Sequence, residues 1–216
     1  MSPRPAPAPE DSSPHARALT EAGSLIASAL EPRAMLAQLA EVAIAYLADM
    51  CFIDLALGPD KLERVAWTHR DPVQRAQQHV LPKLVVAAQG KHPINQAFRE
   101  GVTVFVREVT TAWMRSIAYN EEHFRFMASS GMISLIATPM VARGRVLGVI
   151  TLTRSHRHFT ARDTDLAEEL ARRAGIAVEN AQLHRALEEQ AEHMRLAVEA
   201  ADLGTWDYDL VSGEIV

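Results

Sequence analysis

The chain has 216 residues, 48% of them hydrophobic and 23% charged, a mix that fits a folded globular protein and excludes a disordered or collagen-like one. No run approaches the ~18 apolar residues of a membrane span, and the single cysteine, Cys51, excludes an intramolecular disulfide and a multi-cysteine zinc site. The net charge of −5 is uneven: residues 1–184 carry 20 Lys and Arg against 19 Asp and Glu, and residues 185–216 carry 2 against 8, so neither part has the basic field that nucleic-acid binding needs.

In chain order, residues 1–14 hold five prolines and little to bury, which predicts a flexible tail. The opening residues also lack the apolar core of a secretory signal, so a cytoplasmic location is expected. Leu19, Ala22, Ile26 and Leu30 fall at helical steps. Pro32 suits the first turn of a second helix, continued by Leu36, Leu39, Val42, Tyr46 and Leu47. Cys51–Leu57 and Leu62–His69 are apolar runs around the turn Gly58-Pro59-Asp60-Lys61 and predict a hairpin. Asp71-Pro72 opens a helix expected to reach the low 80s.

Pro93–Arg99 predicts a short helix with Gly101 at its exit, and Val102–Val106 a strand. Residues 108–118 are ambiguous. Asn120 caps a further helix whose first turn carries Glu121 and Glu122, favourable at the positive helix end, and which stops at Gly131. Ile133–Val141 and Val146–Thr153 are near-continuous apolar strands about Arg143-Gly144, which implies a sheet covered on both faces. Thr160 and Asp163 form a capping box for a last helix of about forty residues, with Gly175 its one weak point at ~1 kcal/mol relative to Ala. The expected fold is α+β: a mainly antiparallel sheet with helices on both faces and a long C-terminal connector helix.

Two stretches carry a family resemblance. Ser134–Leu152, with its Pro139, Arg143-Gly144 turn and Gly148, resembles the last two strands of a GAF domain. So do Phe159-Thr160, Asp163, and the Ala-rich helix that reaches Glu179-Asn180-Ala181. Arg195-Leu-Ala-Val-Glu-Ala-Ala-Asp-Leu-Gly-Thr-Trp-Asp-Tyr-Asp-Leu resembles the opening of a PAS domain. The resemblances imply a tail at 1–14, a GAF domain at 15–185, a connector helix at 186–202 acting as a signalling coiled coil, and the truncated start of a PAS domain at 203–216. They also imply a sensory input module of a larger signalling protein, with a histidine kinase as the expected parent. A diguanylate cyclase or other signalling output, or a purely structural dimerisation domain without ligand, are the alternatives. No catalysis is expected within this chain, because no nucleophile–base–acid set, phosphate loop or histidine phosphoacceptor motif is visible.

The ligand of such a domain is not legible. Trp67, Phe98, Trp113, Tyr119, Phe124, Phe126 and Met127 lie where the GAF resemblance puts a pocket lid, and His69, Arg115 and Ser134 can supply polar groups to an unknown small molecule. The same aromatics serve equally as core filling. Cys51 opens a buried strand and reads as an inert core residue rather than a bilin attachment site. His156 and His158 read as a solvated loop rather than a metal pair. A haem would need His69, His79 or His123 as axial ligand, and nothing selects among them. Neither bilin nor metal is expected.

The last helix repeats Ala177, Asn180, His184, Leu187, Ala191, Met194, Val198 and Ala201 at three-four spacing. The expected partner is a second copy of the chain, paired in parallel along this seam, with the parent's downstream domains beyond.

Overall fold

The computed structural model describes residues 13–28, 31–76, 85–87 and 90–200. The expected PAS start, nearly all of the Pro-rich tail and the continuation of the helix opened at Pro72 lie outside the described residues. Two compact units divide at Glu179. The first holds a six-stranded sheet with its helices; the second holds the end of the last helix.

Helices α1 (Pro14–Ser28) and α2 (Pro32–Tyr46) come first. Pro32 sits in the first turn of α2, and the Glu31 carboxylate accepts the Ala34 N–H at 3.2 Å, satisfying a donor that the helix start leaves free. Strands β1 (Met50–Gly58) and β2 (Lys61–His69) form the expected hairpin. Then follow α3 (Pro72–Ala76), β3 (Val85–Ala87), α4 (Pro93–Glu100) and β4 (Val104–Val106). Gly101 ends α4 at φ 66°, the left-handed conformation that glycine adopts without penalty.

The ambiguous stretch resolves as α5 (Thr111–Ile117), started by the Thr110 hydroxyl accepting the Trp113 N–H at 3.1 Å. Asn120 caps α6 (Glu121–Ser129), accepting the His123 N–H at 2.8 Å. Strands β5 (Ser134–Ala142) and β6 (Arg145–Arg154) meet at Arg143 and Gly144, both at positive φ, as a two-residue hairpin requires. The capping box forms at the start of α7 (Ala161–Ala200): Asp163 accepts the Thr160 N–H at 2.8 Å, and Thr160 accepts the Asp163 N–H at 3.3 Å.

The strand order is β3-β2-β1-β6-β5-β4, every pair antiparallel. One core, built on Leu36, Leu39, Cys51, Ile53, Ile136, Ile150, Leu152, Leu170 and Val178, joins one sheet face to α1, α2 and α7. A second, built on Ile94, Phe98, Met114, Met127, Leu135 and Val149, joins the other face to α4, α5 and α6. This is the α+β architecture read from the sequence. Among the described residues no helix is long and apolar enough to cross a membrane.

Candidate functional site

Strand periodicity sends alternate residues to opposite faces. On β6, Ile150 and Leu152 enter the first core, and Thr151 and Thr153 face the other side. On β1, Met50 and Phe52 face the same way as Thr151, since Phe52 stands opposite Thr151 in the ladder. β2 would fall out of phase, but the pairing skips Val65: Ala66 lies opposite Ile53 and Arg64 opposite Asp54. This bulge returns Arg64 to the face that carries Phe52 and Trp67.

Between that face and the loop–helix segments around His92 and α6 lies a cavity of about 50 Å³. Its apolar wall includes Met50, Phe52, Phe126, Met127 and Met132, and its polar groups come from Arg64, His92, Tyr119, His123, Thr151 and Thr153. Arg64 reaches the buried Asp54 through two contacts of 3.0 and 3.4 Å and lays its guanidinium 4.3 Å over the Phe52 ring. His92, Tyr119 and His123 form a three-ring cluster with centroids 4.9 to 5.5 Å apart. Tyr119 is 44% exposed and stands at the mouth, where its hydroxyl accepts from the buried Asn95 amide at 3.2 Å.

The two imidazoles are fixed by backbone. His92 precedes α4 and its Nδ1 accepts the Ile94 N–H at 3.3 Å; His123 Nδ1 accepts the Tyr119 N–H, also at 3.3 Å. In the neutral ring the proton then sits on Nε2. Burial, followed by the neighbouring His123 and the Arg64 charge, pushes His92 down to about 3. Burial and then Arg64 push His123 down to about 4. Both rings are neutral donors near pH 7. Thr151 is 2% exposed, and its hydroxyl has no hydrogen-bond partner among the described residues.

Of the ten residues singled out from the sequence, the structure gathers Tyr119, Phe126 and Met127 on this cavity. Trp67 lies beside it, its ring 6.2 Å from that of Phe52. His69 ends β2 and its Nδ1 accepts the Asp71 N–H at 2.9 Å. Phe98 fills the core under α4, and Trp113 and Phe124 pack at its edge. Arg115 lies over the Phe124 ring at 3.9 Å and pairs with Glu121 at 3.2 Å on the surface. Ser134 is fully buried, accepting the Phe159 N–H at 3.2 Å and donating to the Val106 carbonyl at 3.4 Å. These polar groups are spent on the fold.

Arg64, His92 and Thr151 were missed, and His123 entered the sequence reading only as one of three haem-ligand candidates. Thr151 was findable from strand alternation, and His123 from its four-residue step after Tyr119. Arg64 was not, because the bulge that turns it is not written in the local pattern.

Cys51 sits in the opposite core, fully buried, and burial pushes its thiol far above the usual range. His158 Nδ1 lies 2.8 Å from the Arg107 carbonyl. Among the described residues no group of three His, Cys, Asp or Glu side chains is placed to hold a metal ion. His123 would have to break its backbone hydrogen bond to free Nε2 for iron.

In the second unit, Leu183, Leu187 and Met194 are 41%, 62% and 65% exposed on α7. Asn180, His184 and Ala191 are exposed too, and Val198 is half-buried. Ala177, in the first unit, packs against the domain's own core.

Comparison with known proteins bears on the whole first unit. No curated protein matches the chain. Among solved structures, the GAF domain of a phosphoenolpyruvate-protein phosphotransferase from Coxiella burnetii is 13% identical, with TM-score 0.64 over 80% of this chain and 96% of that one. The free methionine-R-sulfoxide reductase of Neisseria meningitidis, in complex with its substrate, is 22% identical, with TM-score 0.60 over 79% and 91%. The second GAF domain of DevS from Mycobacterium smegmatis is 19% identical, with TM-score 0.54 over 73% and 99%. At these identities the likeness is one of fold. A family model described as "GAF domain" matches residues 29–179, well over half of the sequence, and the chain belongs to the GAF domain family.

Proposed function

We propose that this GAF domain is the sensory input of a larger signalling protein, with a histidine kinase as the first candidate for its output and a PAS domain beginning after the last helix. The cavity takes a small molecule, and α7 pairs in parallel with its copy in a dimer and carries the occupancy state onward. The observation that supports this reading is the position of β6. Its Thr151 faces the cavity, while the adjacent Ile150 and Leu152 belong to the core that holds α7. Its last residue, Arg154, is bonded to Asp163 in the first turn of α7. A ligand that shifts β6 therefore acts on the helix through two contacts, and differential affinity for two helix packings converts binding into a population shift.

The dimer reading rests on Leu187 and Met194, large exposed apolar side chains one heptad apart on the seam of a helix rich in charge. Reductase chemistry, the activity of one structural neighbour, does not carry over. The chain has one thiol, and it lies behind the sheet from the cavity. Native mass spectrometry of the chain purified from cells tests the reading: a dimer, with or without a retained small molecule, is expected. Monomer alone at micromolar concentration would overturn the connector role.

A further inference from the structure

Of the polar groups on the cavity wall, the imidazoles are donors, and the Thr151, Thr153 and Tyr119 hydroxyls can donate or accept. His92 and His123 each carry the ring proton on Nε2, since Nδ1 of each accepts a backbone N–H, and both rings line the cavity. The Thr151 hydroxyl has no partner among the described residues, although the residue is only 2% exposed. The one cation among the described wall residues, Arg64, is already held through two contacts by the fully buried Asp54. Among the described residues, then, the wall's guanidinium is paired, and its obligate donors, the two Nε2–H groups, outnumber any obligate acceptor.

That inventory discriminates between ligands. A carboxylate would enter a low-dielectric site whose guanidinium is already neutralised, and its charge would go unpaired. An ammonium would meet the Arg64 guanidinium and two imidazole N–H donors, with only hydroxyl oxygens to accept from it. A metal ion would find Nε2 of both rings protonated. A carbonyl or ring nitrogen completes the donors without adding charge, and the buried Thr151 hydroxyl gains the bond it lacks. The aromatic lining, Phe52 and Phe126 with the His92–Tyr119–His123 cluster, suits a flat molecule.

Size points to a closed form. About 50 Å³ is far below the ~300 Å³ at which typical ligand pockets begin. Three of the walls are methionines, Met50, Met127 and Met132. Their unbranched side chains have three rotatable bonds and repack more readily than branched ones.

We propose that this cavity binds a small, flat, uncharged molecule carrying a carbonyl-type acceptor, which Thr151, His92 and His123 read as donors and which enters as the methionine wall repacks. The inference rests on the sensory reading of the domain and adds the chemical class of its ligand.

Three shape-matched probes test it: benzamide, benzoate and benzylamine, followed by saturation-transfer NMR and thermal shift on the full chain at pH 7.5. Benzamide is expected to bind at least tenfold more tightly than the other two. Thr151→Val keeps the shape and removes the donor. It should weaken benzamide about five- to tenfold, the worth of one hydrogen bond, while leaving the melting temperature unchanged or raised. Met127→Ala, which widens the cavity, should tighten benzamide. Equal or better binding of benzoate or benzylamine would overturn the ligand class and leave the pocket standing. Benzamide binding that neither Thr151→Val nor His92→Phe alters would place the site elsewhere and overturn the assignment. No binding of any probe to either the parent chain or Met127→Ala would overturn the class and the sensory pocket together.

Discussion

The guanidinium of Arg154 and the carboxylate of Asp163 are joined by two hydrogen bonds of 2.9 Å each, with both side chains only 3% exposed. Arg154 also donates to the Leu47 carbonyl at 2.7 Å, just past the end of α2, and its Cζ lies 4.3 Å over the Phe159 ring. Asp163 also accepts the Thr160 N–H and hydroxyl, each at 2.8 Å. The end of β6, the end of α2 and the start of α7 thus meet on one buried pair. Removing one partner leaves the other charge buried and unpaired. Asp163→Ala is expected to cost about 3–5 kcal/mol in urea unfolding, against about 1 kcal/mol for an ordinary capping residue.

Gly175 reverses the expectation from helix propensity. On an isolated helix, Gly→Ala gains about 1 kcal/mol. Here a Cβ would lie 2.9 Å from the Val141 carbonyl oxygen and 3.0 Å from its nitrogen, both backbone atoms. The helix crosses β5 so closely that only glycine fits. Gly175→Ala should lower stability by about 1–3 kcal/mol, read as a fall in melting temperature. A rise would mean that the helix can lift from the sheet at little cost.

Acid should destabilise the fold in a window set by the buried imidazole. His92 is pushed down to about 3 in the folded chain, against an ordinary value of 6.5. Below pH 6.5 the unfolded chain takes up a proton that the folded chain refuses. Stability is therefore full above that pH, falls as the pH drops towards 3, and changes no further from this group below it. The whole loss is about 3–5 kcal/mol. Asp163, held near 2 despite burial by the Arg154 and Thr160 hydrogen bonds, adds a loss that begins below its ordinary 3.8. Urea midpoints measured from pH 7 to 4 check this. His92→Asn keeps a capping side chain before α4 and should make the curve shallower over that range, leaving the part that His123, pushed down to about 4, contributes.

The proposed helix pairing makes a register prediction. Leu187→Cys should form an intermolecular disulfide under mild oxidation, because a seam residue meets its own copy across a parallel dimer. Met194→Cys, one heptad on, should do the same, and Glu188→Cys on the flank should react much more slowly. Equal rates at all three positions, read by non-reducing gel, would indicate random collision and no seam.

Local rules in this chain are strong where one residue decides a backbone conformation. Pro32, Gly101, Asn120, the Arg143-Gly144 turn and the Thr160–Asp163 box each mark an element boundary, and each forms as read, because caps and turns are satisfied by neighbours within about four residues. The two apolar strands and the forty-residue helix were equally legible from their periodicity. The cavity was not. Tyr119, Phe126 and Met127 reach it, while Ser134 and Arg115, equally plausible by residue type, are consumed by hydrogen bonds and a surface stack.

What the sequence by itself determined is most of the elements in their order, β3 and α5 excepted, and with them the family, since both depend on contacts between near neighbours. What only the tertiary structure decided is which polar groups remain unspent. His92, Arg64 and Thr151 come from three elements far apart in the chain, and their availability depends on a bulge at Val65, a ring fixed by the Ile94 amide and a strand register. A side chain's chemistry is written in its identity, but whether that chemistry is free to act depends on every partner that long-range packing brings within about 3 Å of it.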